Sequence, residues 1–310
     1  MPGVTALAVD LGGSHAGCAV VSDGAILART TPPANSKGSL KDLLPSISEG
    51  LRRSLHIAGV EQRSCSAVVL GFPGVVNPRE KRVLATNKKF DDATAVDLEQ
   101  WCAREFSLTF LLENDARLAL LGESAYGAAK GTEDAVMITL GSGIGAAAMM
   151  NGRLLQGKHG LAGMIGGHLP IALNGRLCSC GNRGCAETEG STEFLEQVYR
   201  EHSGSSNGTV QGFAELFHAA DSGDHAAIAV LNHCIGAWSV LTLALIHAYD
   251  PEVIVFGGSV MNRASDILPR VQSYVDAHAW TPGRSVPLRP ALFGSDAALL
   301  GAIPLIESIL

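Results

Sequence analysis

Four residues carry the most specific chemistry in the chain. His168 is followed by Cys178-Ser-Cys180-Gly-Asn-Arg-Gly-Cys185. Three thiols and one imidazole make a tetrahedral Cys3His set for zinc. Protein would fill all four positions and leave none for an activated water, so the expected Zn2+ is structural. A second constellation is Glu113-Asn114-Asp115, where an apolar run, TFLLE, meets helix-forming sequence. Asn or Asp at such a junction is an ordinary helix cap. A carboxylate at a strand's carboxyl end also stands where α/β proteins bind ligands. Ionised at neutral pH, Asp115 can accept the proton of a hydroxyl as that oxygen attacks phosphorus.

Three glycine-rich turns could handle phosphates. Asp10-Leu11-Gly12-Gly13-Ser14 follows a short apolar run, and its glycines let backbone N–H groups approach an anion without a Cβ in the way. Asp10 cannot touch phosphate but can hold Mg2+ through water. Leu140-Gly141-Ser142-Gly143-Ile144-Gly145 repeats that chemistry in the second half. Phe256-Gly257-Gly258-Ser259 ends a very apolar run and could let an adenine or ribose lie against backbone. None is a Walker loop.

Positioning these residues requires alternating strands and helices, hence an α/β fold. Val4–Val9, AVVLGF, TFLLE, AVMITL and EVIVFGG read as strands, and Ser39 caps a helix to about Ala58. Pro45 suggests that this helix starts later than Ser39. Asp23-Gly24 and Asn151-Gly152 read as hairpin turns. Two segments therefore share one layout of strand, glycine turn and hairpin, which points to an internal duplication. The expected domains are 1–114, smaller, and 115–295, larger, with a final helix near 296–310 packing back on the first.

The chain has 310 residues, 46% hydrophobic and 17% charged, with net charge −7. It is a globular protein with no electrostatic footprint for nucleic acid or an anionic membrane. AAIAVLNHCIGAWSVLTLALIHAY is interrupted by polar residues and reads as a core helix rather than a span. The start shows no secretory signal, and the clustered cysteines suit a reducing compartment, so a cytoplasmic location is expected.

Together these motifs resemble the ROK family of bacterial sugar kinases and repressors, from Asp10 to the last helix. Gly71-Phe72-Pro73-Gly74 is similar to the family's G-x-P-G segment, and Asp115 falls on its catalytic base. The resemblance implies an actin-like, ribonuclease-H-like two-domain ATPase fold with the active site in the interdomain cleft. It implies phosphorylation of a hexose or N-acetylhexosamine, usually at the 6-hydroxyl, with ATP and Mg2+. It makes Asn114, Asp115, His168 and Glu187 sugar contacts, with Gly74 and Asn87 lining the pocket. Asp10, Gly12, Gly13, Ser14, Gly141, Ser142, Gly143, Gly257 and Gly258 would serve the nucleotide, and a homodimer or homotetramer is implied. The family's repressors carry a helix-turn-helix ahead of the first motif, and nine residues before Asp10 leave no room for one. One departure stands out. Where the family has Glu three residues before the zinc His, this chain has Ile165. That leaves open a glucokinase-like enzyme, an N-acetylhexosamine kinase, or a catalytically weak sugar-binding protein.

Overall fold

A computed structural model describes residues 3–86, 88–203 and 210–309. The chain divides into two compact units: 1–131 with 154–164 and 295–310, and 132–153 with 165–294.

In unit 1, β1 (Thr5–Leu11), β2 (Ala16–Ser22) and β3 (Ala25–Thr30) form an antiparallel meander. Asp23 and Gly24, both at positive φ, make its tight turn. Helix α1 (Leu40–Ala58) buries Leu40, Leu44, Ile47, Leu51 and Leu55, one stripe of a 3.6-residue repeat. It starts directly after Ser39, which accepts from Asp42 N–H and donates to Asp92. Pro45 lies inside it, earlier than expected from the proline. Lys41 is exposed, so water can serve the carbonyl that Pro45 leaves unpaired. Then follow β4 (Ala67–Phe72), a small hairpin of β5 (Val75–Asn77) and β6 (Arg82–Ala85), α2 (Leu98–Phe106), β7 (Thr109–Asn114) and α3 (Asp115–Tyr126). The main sheet runs β3-β2-β1-β4-β7, with β1, β4 and β7 parallel.

Unit 2 contains β8 (Ala135–Leu140), β9 (Ile144–Met150), β10 (Arg153–Leu154), α4 (Ala186–Gly190), α5 (Thr192–Ser203), α6 (Phe213–Asp221), α7 (His225–Tyr249), β11 (Val253–Gly257), α8 (Ala264–His278) and β12 (Leu288–Pro290). Its sheet runs β10-β9-β8-β11-β12, with β8 antiparallel to β9 and parallel to β11. The two sheets therefore repeat one plan. Asn151 and Gly152 stand at positive φ where the first sheet has Asp23 and Gly24. Helix α7 is long and apolar enough to cross a membrane by length and composition. It packs against α4, α5, α6 and α8, burying Trp238, Leu241 and Leu245.

The division of the chain differs from the expected one near Asn114. Helix α3 stays in unit 1, as do α9 (Ala297–Leu300) and α10 (Ala302–Glu307), and the two units are of roughly equal length. The cause is a close helix crossing: a Cβ on Gly122 of α3 would run into the Ala297 carbonyl of α9. Residues 154–164 also return to unit 1. Buried Arg117 of α3 donates to the Leu155 and Ala162 carbonyls at 2.7 Å each.

Candidate functional site

Unit 1 brings two predicted carboxylates together. Asp10 is half-buried near the end of β1, opposite Gly17 of β2 and beside Gly71 of β4. A Cβ on Gly71 would stand 3.7 Å from Asp10 Oδ1 and 3.0 Å from a methyl of Leu118, so the two residues are close neighbours. Burial and then the negative charge of Asp115 push Asp10 up to about 7, against the pull of Arg29. Asp115 is the first residue of α3. Burial raises its pKa too, while Lys89, the Ala116 N–H and Asn114 hold it down.

The corner carrying Asp115 is built stiffly. Asn114 caps α3, accepting from Arg117 N–H at 3.2 Å, and its amide donates to the Gly74 carbonyl at 3.1 Å. Glu113 at the end of β7 and Arg117 in α3, both fully buried, pair at 3.3 Å. Glu113 also accepts the Asn114 N–H at 2.9 Å. Removing either partner would strand a buried charge. Gly74 is a close approach: a Cβ there would stand 2.6 Å from the Ala85 carbonyl. Gly74, Asn114 and Asp115 thus lie together, whereas Asn87 falls outside the described residues. Gly12, Gly13 and Ser14 continue from β1. Gly13 and Ser14 are exposed, and their carbonyls accept from Ser36 and Ala34 N–H.

In unit 2 the second glycine loop, the zinc turn and Glu187 meet at Ile144. The Ile144 N–H donates to Glu187 Oε2 at 3.0 Å, and a Cβ on Gly143 would stand 2.5 Å from that oxygen. Gly167 lies so close to β9 that a Cβ would meet the Ile144 carbonyl. This contact seats the short turn Gly166–His168 on the strand. The carbonyls of Gly141 and Ser142 accept from the Thr192 and Glu193 N–H groups at the start of α5, both at 3.0 Å. Turned inward, they do not present negative oxygens to an anion. Gly258, at φ +90°, crosses Leu140 where a side chain would clash with backbone.

His168, Cys178, Cys180 and Cys185 place one ligand atom each within 4.8 Å of one another. Cys180 and Cys185 sulfurs are 3.7 Å apart, and Cys178 Sγ is 3.4 Å from His168 Nδ1. Zinc–sulfur bonds of about 2.3 Å put tetrahedral thiolates about 3.8 Å apart, so the set fits zinc. His168 turns Nδ1 to the thiols, which leaves Nε2 as its second hydrogen-bonding atom.

A further feature of unit 2 had no signal in the glycine motifs. A cavity of about 570 Å³ is lined by Thr192, Phe213, Phe217, Ser259, Asn262 and Arg263, among others. Thr192 carries the N–H that binds Gly141, and Ser259 follows Gly258. The cavity therefore adjoins both unit 2 glycine turns. In unit 1, Lys89 beside Asp115 was equally unmarked by any motif.

A doubled five-stranded sheet with a glycine loop at the same corner each time is the framework of a phosphate-handling α/β enzyme. The model of the ROK family matches residues 6–309. The glucokinase of Thermotoga maritima is 31% identical over 99% of this chain and 98% of its own. The xylose repressor of Bacillus spizizenii is 27% identical over 74% of this chain and 58% of its own. The ROK hexokinase structure from Thermus thermophilus superposes with a TM-score of 0.81, at 27% identity, over 98% of this chain and 100% of that one. The chain belongs to the ROK family and is a kinase.

Proposed function

We propose that this kinase transfers the γ-phosphoryl group of ATP to the 6-hydroxyl of a hexose or hexose derivative, with Asp115 as base. The observation that carries the reading is the corner at Asn114-Asp115. It places a carboxylate of raised pKa at the start of a helix, locked by a buried ion pair and a bond to Gly74. A base whose pKa is raised by burial takes a hydroxyl proton more readily. Lys89 opposes the shift.

Phosphoryl transfer asks a protein mainly for positioning and electrostatics. Gly12–Ser14 and Gly141–Gly143 are assigned to the phosphates, and the cavity beside Gly258 to the adenosine. Asp10 is assigned to hold Mg2+ through water. That ion supplies charge neutralisation on the polyphosphate. Asn114, Glu187 and His168 Nε2 are assigned to sugar hydroxyls, with Gly74 and Asn87 beside them. Zinc would hold the His168 turn in shape. The actin-like arrangement, in which both units serve one substrate, belongs to this proposal. So does a cytoplasmic homodimer or homotetramer whose partners are sugar and ATP, without nucleic acid or membrane.

Within this reading, Ile165 favours an N-acetylhexosamine over unmodified glucose. It opens the turn that ends in His168 and is a large apolar side chain, 42% exposed. A hydroxyl buried against it without a partner loses about 1–3 kcal/mol. A coupled ADP-release screen over hexoses, hexosamines and N-acetylhexosamines tests the proposal. Turnover with one of these classes supports it. Sugar binding without ADP release by any of them would make the chain a binding protein.

A further inference from the structure

We propose that Arg176, gripped by Glu189 of α4 and Glu201 of α5, is a positioning residue for the zinc loop. It holds the two ends of the loop together, so that the three thiols stand in place before the metal is bound. Cys178 follows Arg176 by two positions, and Cys185 directly precedes α4. The backbone closes the neck of the loop once: the Arg176 carbonyl accepts the Gly184 N–H at 2.9 Å, and Leu177 bridges Arg183. The Arg176 side chain closes it a second time. Its Nη1 pairs with Glu189, four residues beyond Cys185, and its Nη2 pairs with Glu201. Its Nε donates to the other Glu201 oxygen at 3.2 Å. The segment that enters the cysteines is thereby tied to the helices that follow them.

The packing makes this a stiff clamp. The side chains of Arg176 and Glu189 are only 11% and 7% exposed, and either charge left alone there would be costly. Gly175 permits the close approach: a Cβ there would stand 2.5 Å from the Gly184 Cα and 2.8 Å from Glu189 Oε1. Glu189 is held from a third side, with His233 Nε2 of α7 3.1 Å from its Oε2. The same short helix carries Glu187, whose Oε2 accepts the Ile144 N–H of β9. Helix α4 is thus fastened to the sheet by one carboxylate and to the zinc loop by another, two residues on. These clamp contacts use no side chain of a metal ligand, so they act with or without the metal.

The assignment rests on zinc as the occupant of the Cys3His set, and only its consequence for sugar binding rests on the kinase reading. The experiment loads each protein with one equivalent of Zn2+ and follows its release to excess chromogenic chelator, well below the melting temperature, beside a far-ultraviolet circular dichroism spectrum. Arg176→Gln and Glu189→Gln should each release zinc about 10-fold or more faster than wild type. The double variant should be no faster than the faster single, because both remove one shared interaction. Arg176→Lys keeps the charge but not the fork that reaches two carboxylates, and should fall between. Arg200→Gln breaks an exposed pair with Glu196 on the same α5 and should release zinc at the wild-type rate. If Arg176→Gln fails to fold, Glu189→Gln decides by the same rate, set against Arg200→Gln. In the active enzyme the clamp variants should raise KM for the sugar with kcat little changed. Folded variants that keep the wild-type release rate, or a double variant that multiplies the two single effects, would overturn the assignment. Wild-type protein that takes up no zinc would overturn it together with the zinc reading. Release as expected without turnover on any sugar would instead count against the kinase reading alone.

Discussion

The two glycine corners occupy the same place in two copies of one sheet, yet they are built for different work. In the first, Asp10 stands opposite Gly17 and beside Gly71. In the second, Thr139 stands opposite Gly145 and beside Gly257. Each residue has a glycine on either neighbouring strand. Unit 1 fills that place with a carboxylate under strong electrostatic load, and unit 2 with a neutral hydroxyl. A carboxylate repels phosphate and attracts a cation, whereas a hydroxyl can donate to phosphate directly. The duplication thus supplies one frame twice, and in the proposed function the residue type at the corner assigns the first to the cation and the second to the phosphates.

Exchanging charge for neutrality should therefore hurt one corner far more than the other. Asp10→Asn is expected to lower kcat by roughly 10²-fold, while Thr139→Val should cost about 10-fold or less, mostly in KM for ATP. Equal losses at both sites would erase the distinction. Next in size is the metal loop, a feature of unit 2 with no counterpart in the glycine corner of unit 1. Purified protein should hold about one zinc per chain, and Cys180→Ser should lose zinc and sugar affinity together. Metal analysis that finds none in an active enzyme would remove zinc from the account. A smaller effect is expected at Ile165. Ile165→Glu should improve KM for glucose relative to N-acetylhexosamines by roughly 5- to 150-fold, the equivalent of about 1–3 kcal/mol. A low wild-type KM for glucose, worsened by the added carboxylate, would contradict this.

The least direct effect is on stability. The folded pKa of Asp10, about 7, lies above its ordinary 3.8. The folded state then binds the proton more tightly than the unfolded state. Stability from this group is full below pH 3.8 and is lost as pH rises through 7. Asp10→Asn should accordingly raise Tm at pH 8 and raise it less at pH 5. The matching Thr139→Val should show no such pH dependence. A Tm gain from Asp10→Asn independent of pH would mean that charge is not the load.

Much of this was legible from local sequence. The apolar runs, the two turn dipeptides and the doubled layout depend on neighbouring residues and appear as expected. The Cys3His quartet was legible because its spacing is short. What escaped depends on distant residues. Arg29 and Asp296 pair across 267 positions, and nothing in either local segment marks the other. The place of α3 was misjudged because Gly122 meets α9, and the return of 154–164 because Arg117 reaches its carbonyls. Lys89 and the cavity residues Phe213, Asn262 and Arg263 lie in segments without a motif. Only the fold sets them beside the residues that have one.

The central claim is that Asp115 is the base of a phosphoryl transfer and not merely the first residue of a capped helix. Asp115→Asn separates the two, since Asn keeps a polar side chain at the helix start but cannot take a proton. The measurement is steady-state ADP release with the best sugar from the screen, beside a melting curve of the same sample. The account predicts turnover lower by roughly 10²-fold or more with Tm nearly unchanged. A variant that melts early and keeps its turnover would show that Asp115 is structural and contradict the account.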